Sequence, residues 1–400
     1  MVDVAREAWI TGIGIVSCLG EGADAHWHGL CEAEPRINTT TFAPYIVHRI
    51  APIDFDKQIP RKGDQRQMEP WQRIGTYAAG LALDSAGLKG NTELLARTDM
   101  IVAAGGGERD TAVDSTILSG WRKAEVPDAY LNERLMSDLR PTLFLAQLSN
   151  LLAGNISIVH GVTGSSRTFM GEEAAGVDAL RIALQRINAG QSDLALVGGA
   201  HNAERPDLLM LYEFAAYNLK GAFAPVWKRA PKGGFALGSL GAFVVIESRS
   251  HADARGARRL AHLCAVLSER SRREPGSVEA ALNRLWDRLP KPIDSATSAV
   301  ISGATGAEPA TTEERAFLAR HPDVAVRATG THLGHAFEPQ FPMNVAIAAL
   351  ALSHGSLFPP GDDSGMERPM QGPLKQVVVT GVGHWRGEGL ALVQSGSEGE

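Results

Sequence analysis

The chain has 400 residues, 44% of them hydrophobic, with 43 glycines and a net charge of −6. That length allows two or three average domains or one large duplicated one, and the composition describes a tightly turned α/β protein and excludes a disordered chain. The acidic balance argues against non-specific nucleic-acid binding, and no apolar run reaches the roughly 18 residues that a membrane-spanning helix needs. Cys18, Cys31 and Cys264 are too few and too scattered for a disulfide framework or a thiolate metal site. The opening residues MVDVAREAWI enter a strand without the apolar segment of a secretory leader. A reduced, cytoplasmic protein is expected.

Ala8 to Ser17 is an apolar β-run that enters a Gly-rich turn, the pattern of a buried central strand. Residues 35–60 read as an irregular surface excursion. Pro70 to Ala86 reads as a helix with proline at its first position, where the missing N–H costs nothing. Asp99 to Ala104 is a second buried strand ending in Gly105-Gly106-Gly107. Residues 108–140 are charged and helical, a cap over the sheet, and Leu143 to Leu152 reads as a short apolar helix. The stretch 155–200 reads as a strand, a sharp turn at Gly171-Glu172-Glu173, a helix of four or five turns, and a strand ending in Gly198-Gly199. The helix carries Val177, Leu180, Ala183, Leu184 and Ile187 on one face.

Residues 204–234 read as a long connection, followed by a strand from Ala242 to Ile246 and a helix stub at His251 to Gly256. Leu260 to Leu267 is a strand candidate and Val278 to Leu289 an amphipathic helix. Ala299 to Gly303, a strand into glycine, echoes Met100 to Gly105. Val324 to Ala328 is a strand and Met343 to Ser353 an apolar helix. Val377 to Gly383 repeats the pattern of Trp9 to Gly14. The echo predicts two βα-rich halves, residues 1–248 and 249–400, with a cap insertion at about 108–145. Two packed sheets between helix layers would bury such apolar strands.

The turn at Glu173 holds a side chain at the positive end of a helix, a place where enzymes activate nucleophiles. A carboxylate there also stabilises the helix by about 0.3–1 kcal/mol, so Glu172 and Glu173 read either as first-turn stabilisers or as substrate or partner groups. Other motifs carry less. Gly12-Ile13-Gly14 lacks the third glycine and the acidic residue of a dinucleotide fold. Ser165 and Ser166 lack a G-x-S-x-G elbow and read as strand-entry residues. His332 and His335 have no clear third metal ligand in sequence, so no metal is expected. His26 and His28 read as surface residues on a helix.

Taken in order, these segments resemble the beta-ketoacyl-acyl-carrier-protein synthases of the thiolase-like superfamily. The resemblance runs from Ile10–Ser17 through Ser149–Gly154, His160-Gly161, Gly176–Gly199, Phe235–Gly238, Arg255–Ala257 and Gly334-His335 to Thr380–Gly389. It implies an α/β fold, a thiolase-like five-layer αβαβα sandwich of two duplicated halves. It also implies a homodimer or a heterodimer with an active ketosynthase, and work on acyl or malonyl thioesters held by acyl carrier protein. No cofactor, nucleic acid or membrane span is expected.

Active members resemble a Cys-His-His machine in which cysteine takes the acyl chain and two histidines assist decarboxylation and hold the oxyanion. Carried onto this chain, the cysteine position is Glu173 and the first histidine position is Gly303. The second histidine is retained as His335. A usual lysine falls on Gly330, and the gatekeeping phenylalanine of the C-terminal loop falls on His384, beside Gly383. Glu173, His335 and His384 could form one cluster, or His384 could simply pack. A carboxylate attacking a thioester would give a hydrolysable anhydride, so no ordinary condensing activity is expected of this chain alone. Three roles follow: a chain-length-factor-like partner of an active ketosynthase, an enzyme of altered chemistry such as malonyl decarboxylation, or an acyl-binding homodimer without turnover.

Overall fold

Every side chain of Ala8–Ser17 (β1) is buried. The computed structural model describes residues 6–396 apart from 33, 140–143, 146, 231, 232 and 291. The other main strands are Asp99–Ala103 (β2), Ser166–Phe169 (β3), Leu194–His201 (β4) and Leu240–Ser248 (β5), then Ala261–Glu269 (β6), Ser298–Ser302 (β7), Ala325–Ala328 (β8), Gln376–Val382 (β9) and Glu388–Ser395 (β10). The packed helices are Pro70–Ser85 (α1), Leu151–His160 (α2), Glu173–Asn188 (α3), Ser277–Asp287 (α4), Ala310–Ala319 (α5) and Gln340–His354 (α6).

The strands form two sets of one topology. In the first the order is β3-β2-β4-β5-β1, and in the second β8-β7-β9-β10-β6. In each set the first three strands run parallel and the last two pair antiparallel. The expected duplication is therefore present, with one correction. Gln376–Val382 takes the place of Leu194–His201, not of the opening strand, whose counterpart is β6. The sequence likeness of Val377–Gly383 to Trp9–Gly14 reflects a shared need for glycine at close contacts. A second correction concerns the sheets. They are not wholly separate, because β1 and β6 join through Trp9↔His262 and Ile10↔Ala261.

Alternation along the strands divides the core. Val244 and Ile246 of β5 face a cluster shared with α3 and α6, whereas Phe243 and Val245 face α1 and α2. Val377 and Val379 of β9 face the shared cluster, and Val378 faces α4 and α5. This period of two places α3 and α6 between the strand sets and the other helices outside, giving five layers. Burying each such side chain contributes about 1.5–3 kcal/mol. Among the described residues no helix is long and apolar enough to cross a membrane.

Gly12 and Gly14 serve packing. A Cβ on Gly14 would lie 2.0 Å from the Ala78 carbonyl oxygen, and one on Gly12 would lie 2.5 Å from that of Ala82. α1 can settle on β1 only because both are glycine.

Four local expectations are corrected. Residues 155–160 belong to α2, which stops at Gly161 in the left-handed conformation (φ 76°); the strand before the turn is only Ser166–Phe169. Of the helix expected at Leu143–Leu152, Phe144 and Leu145 are helical, residues 147–150 hold turns and Leu151 already opens α2, while residues 143 and 146 lie outside the described residues. The connection at 204–234 contains a helix, Pro206–Phe214. His26 does lie on a helix, Gly22–Cys31, but it is buried, with Nε2 2.8 Å from Ser17 Oγ and Nδ1 2.7 Å from the Gly22 oxygen. The cap region holds helices Thr111–Trp121 and Pro127–Ser137. Ser166 opens β3 and Ser165 donates to Asp99 Oδ1 at 2.6 Å, the strand-entry role expected of them.

Candidate functional site

β3 ends at Phe169, and α3 begins four residues later at Glu173. The turn is sharp enough to force Gly171 to φ 135° and Glu172 to φ 57°. A non-glycine residue in that region costs on the order of 1–3 kcal/mol and persists only where its surroundings impose it. The reward is that Glu173 points inward from the first turn of a central helix, with its side chain only 5% exposed.

His335 reaches the same point from the other half. It follows Gly334, whose φ of 72° turns the chain out of the short helix Gly330–Leu333. Its amide donates to the Ala236 oxygen at 2.8 Å, and its carbonyl accepts from the Gly238 amide at 2.9 Å. That pairing explains why Phe235–Gly238 and Gly334-His335 occur together. His384 comes from the C-terminal loop. Gly383 donates to the Gly387 oxygen at 2.9 Å, and Arg273 donates to the Gly383 oxygen at 2.5 Å. Arg273 also pairs with the buried Glu388.

These elements converge on one oxygen. Glu173 Oε1 accepts from His335 Nε2 at 2.8 Å, from His384 Nδ1 at 2.8 Å and from the His384 backbone N–H at 3.2 Å. Among the described residues, buried Glu173 Oε2 has no hydrogen-bond partner, and neither has His335 Nδ1. Aromatic rings wall the cluster. Phe337 lies 4.4 Å and Phe235 5.1 Å from the His335 ring, and Tyr217 lies 4.8 Å and Tyr212 5.6 Å from that of His384.

Burial opposes a charge on Glu173, but the charge of His384 and the hydrogen bonds from both imidazoles outweigh it and hold the carboxyl well below its usual range. Burial likewise opposes a charge on His384, yet the charge of Glu173 lifts its pKa above the ordinary histidine value. For His335 burial prevails over Glu173, and its pKa is lowered. The shifts favour the charged forms of Glu173 and His384 and the neutral form of His335. Because the carboxylate can only accept, the neutral ring carries its proton on Nε2. Beside them, burial pushes Glu338 up to about 7, and the charges of Glu173 and Glu172 push the same way. Burial also raises the Glu172 pKa.

A carboxylate so strongly stabilised as an anion is a poor base and a poor nucleophile. Ligand atoms of Glu173, His335 and His384 all lie within 4.8 Å of one another, so these three could hold a divalent cation. The two 2.8 Å separations between imidazole nitrogen and carboxylate oxygen are also those of direct hydrogen bonds. His332 is not part of this group, although it too is buried.

Of the residues singled out from sequence, Glu173, His335, His384 and Gly383 come together. A Cβ on Gly383 would lie 3.2 Å from Glu173 Oε2. Gly303 and Gly330 have backbone neighbours of their own. A Cβ on Gly330 would meet the Ala304 oxygen at 2.9 Å, and the Gly303 amide donates to Thr380 Oγ1 at 3.0 Å. Sequence reading missed Tyr212, Tyr217, Phe337, Arg273 and Glu338. Pro206 heading Leu208, Leu209 and Tyr212 was an available helix signal for the first of these; nothing local marks Arg273.

A family model described as the N-terminal domain of beta-ketoacyl synthase matches residues 5–252. A putative polyketide beta-ketoacyl synthase 1 of oxytetracycline synthesis in Streptomyces rimosus is 26% identical over 384 residues, covering 89% of this chain and 87% of that protein. The 3-oxoacyl-[acyl-carrier-protein] synthase 2 of Vibrio cholerae is 26% identical over 265 residues, covering 63% of this chain and 60% of its own length. Among solved structures, the ishigamide ketosynthase/chain length factor superposes with a TM-score of 0.80 at 18% identity, over 98% of this chain and 100% of that one. A type II polyketide ketosynthase in complex with its acyl-carrier protein gives a TM-score of 0.74 at 16% identity, over 98% and 100% of the two chains. At such identity these likenesses show a shared thiolase-like fold.

Proposed function

The chain belongs to the beta-ketoacyl synthase family, and from that premise we propose that it serves fatty acid or polyketide synthesis as a chain-length-factor-like subunit beside an active, cysteine-bearing ketosynthase. One observation carries this reading: the residue at the nucleophile turn is a glutamate whose Oε1 takes donors from both His335 and His384. Chain extension needs a nucleophile that accepts and releases an acyl group, and an ion-paired carboxylate does neither. Glu173, His335 and Gly303 are on this reading a remodelled reaction centre, and Gly330, Gly383 and His384 parts of its wall.

Two further features support a partner. Among the described residues β3 pairs with β2 on one side only, and Ser166 and Arg167 are exposed, an edge open to another strand. The ishigamide ketosynthase/chain length factor, by its name, joins the two roles. Acyl carrier protein, which is complexed with a ketosynthase in one similar structure, is the proposed carrier of the acyl or malonyl group. A division at residue 248 and a cytoplasmic location are part of the same proposal.

Co-purification from the native cell tests it. A cysteine-bearing ketosynthase should accompany the chain, and condensation should require both. Recovery of the chain alone, or condensation by it alone, would end the reading. Decarboxylation of a malonyl carrier is the second reading, favoured by the retained His335, whose Nε2–H would have to leave Glu173 Oε1 to hold a developing enolate. Release of carbon dioxide by the isolated chain, abolished in His335→Ala, would select it.

A further inference from the structure

Three donors from two distant segments point at one oxygen, and that oxygen belongs to the chain itself. We infer that His335 Nε2–H, His384 Nδ1–H and the His384 amide form a carboxylate-binding site whose resident ligand is the Glu173 side chain.

The distances of 2.8, 2.8 and 3.2 Å are those of a filled anion site. The donor set also matches, because two imidazole N–H groups and one amide converge on an oxygen that can only accept when it is a carboxylate. The site reads one carboxylate oxygen. The other, Oε2, has no donor among the described residues and packs over Gly383, where any Cβ would lie 3.2 Å away. Tyr212, Tyr217, Phe235 and Phe337 keep this pair out of water, which strengthens each charged hydrogen bond. Arg273, bonded to the Gly383 oxygen at 2.5 Å, fixes the loop that presents the His384 amide. The donors are thus held from behind, as a binding site requires.

With Glu173 in place, no external carboxylate or oxyanion reaches these donors. Glu173→Ala removes a CH2–COO⁻ group, the size of acetate, and leaves the three donors facing the void. The site should then take acetate or another small carboxylate from solution. This inference concerns the donor set alone. Failure to find a ketosynthase partner would leave it standing, and its own failure would leave the partner reading standing.

The test is thermal melting and calorimetric titration of the full-length wild type, Glu173→Ala and Glu173→Gln with sodium acetate, against sodium chloride at equal ionic strength. Glu173→Ala should melt below wild type and recover saturably with acetate, not chloride, binding it at least about tenfold more tightly than wild type or Glu173→Gln does. Should Glu173→Ala not fold in chloride, its refolded yield in acetate against chloride gives the same reading, and the full-volume Glu173→Gln variant, which should fold and ignore acetate, supplies the control. Equal responses to acetate and chloride in Glu173→Ala would overturn the inference. So would a stoichiometric divalent cation in the wild-type chain, since the imidazoles would then be metal ligands and not donors.

Discussion

Glu173 and His384 touch twice: the imidazole Nδ1 lies 2.8 Å from Oε1, and the His384 backbone N–H donates to the same oxygen over 3.2 Å. The pair fastens the start of α3 directly to the C-terminal loop. Removing one partner of such a buried pair typically costs about 3–5 kcal/mol, because the other charge is stranded.

That cost should depend on pH in a defined direction. The folded-state pKa of His384 is raised above 6.5, so its stabilising share is full below that value and fades as pH rises through the folded one. The folded-state pKa of Glu173 is depressed below 4.5, so its share is full above that value and fades as pH falls through the folded one. The melting-temperature gap between wild type and His384→Gln should therefore be widest between about pH 4.5 and 6.5 and narrow in alkali. Melts from pH 4.5 to 10 decide it; a gap that widens above pH 8 would refute this assignment of charge.

Glu338 should behave in the opposite sense. Its carboxylate lies 2.8 Å from where a Cβ on Gly105 would sit. Burial and the neighbouring acids hold its folded-state pKa at about 7 against 4.5 in a free chain. The folded protein keeps a proton that the unfolded chain gives up, so this carboxyl is neutral in effect at pH 4.5 and costs stability as pH rises to 7 and beyond. Glu338→Gln should raise the unfolding free energy by up to about 3 kcal/mol at pH 8 and change it little at pH 4.5. Urea unfolding at the two pH values measures this, and an equal effect at both would show that Glu338 is ionised in the fold.

The fold was legible because its signals are periodic. Buried strands such as Asp99–Ala103 and Gln376–Val382 are continuous apolar runs, and α3 carries its apolar stripe plainly. Their pairing was less legible. Gln376–Val382 and Ala8–Ser17 look alike because both place glycines against neighbouring elements, and only spatial order separates them. At the site, Glu173, His335 and His384 could be located, and one of the two readings had them meet. Their charges could not be read, since these depend on burial and on 2.8 Å contacts between residues 162 and 211 positions apart. The Glu172 strain was also invisible, because no glycine marks a left-handed position that tertiary packing imposes.

On the proposed reading, a cysteine placed at Glu173 should not bring condensation. A Cβ on Gly303 would lie 2.6 Å from the Thr380 oxygen and 3.3 Å from Gly381 Cα, both backbone atoms. Gly303→Ala should therefore destabilise by about 1–3 kcal/mol, and the bulkier Gly303→His by more. Glu173→Cys, alone or with Gly303→His, should remain inactive in condensation of acyl and malonyl carriers. Product formed by the double variant above the wild-type background would show that the backbone at Thr380 yields.

Arg273 should act on the site without touching Glu173. It pairs with Glu388, whose side chain is fully buried, and donates to the Gly383 oxygen at 2.5 Å and the Gly387 oxygen at 3.4 Å. Ser271 supplies Glu388 with two more donors, through N at 3.0 Å and Oγ at 2.7 Å, so the carboxylate is not left bare when the arginine is lost. Arg273→Met should cost about 3 kcal/mol, at the lower end for a buried pair. Its effect should also overlap with that of Glu173→Gln, because both loosen the loop that carries His384. A double-mutant cycle by chemical unfolding should give a combined cost smaller than the sum by more than about 0.5 kcal/mol. Strict additivity would mean that the loop holds His384 in place without Arg273, and the support for the His384 amide would then have to come from the Gly383–Gly387 turn alone.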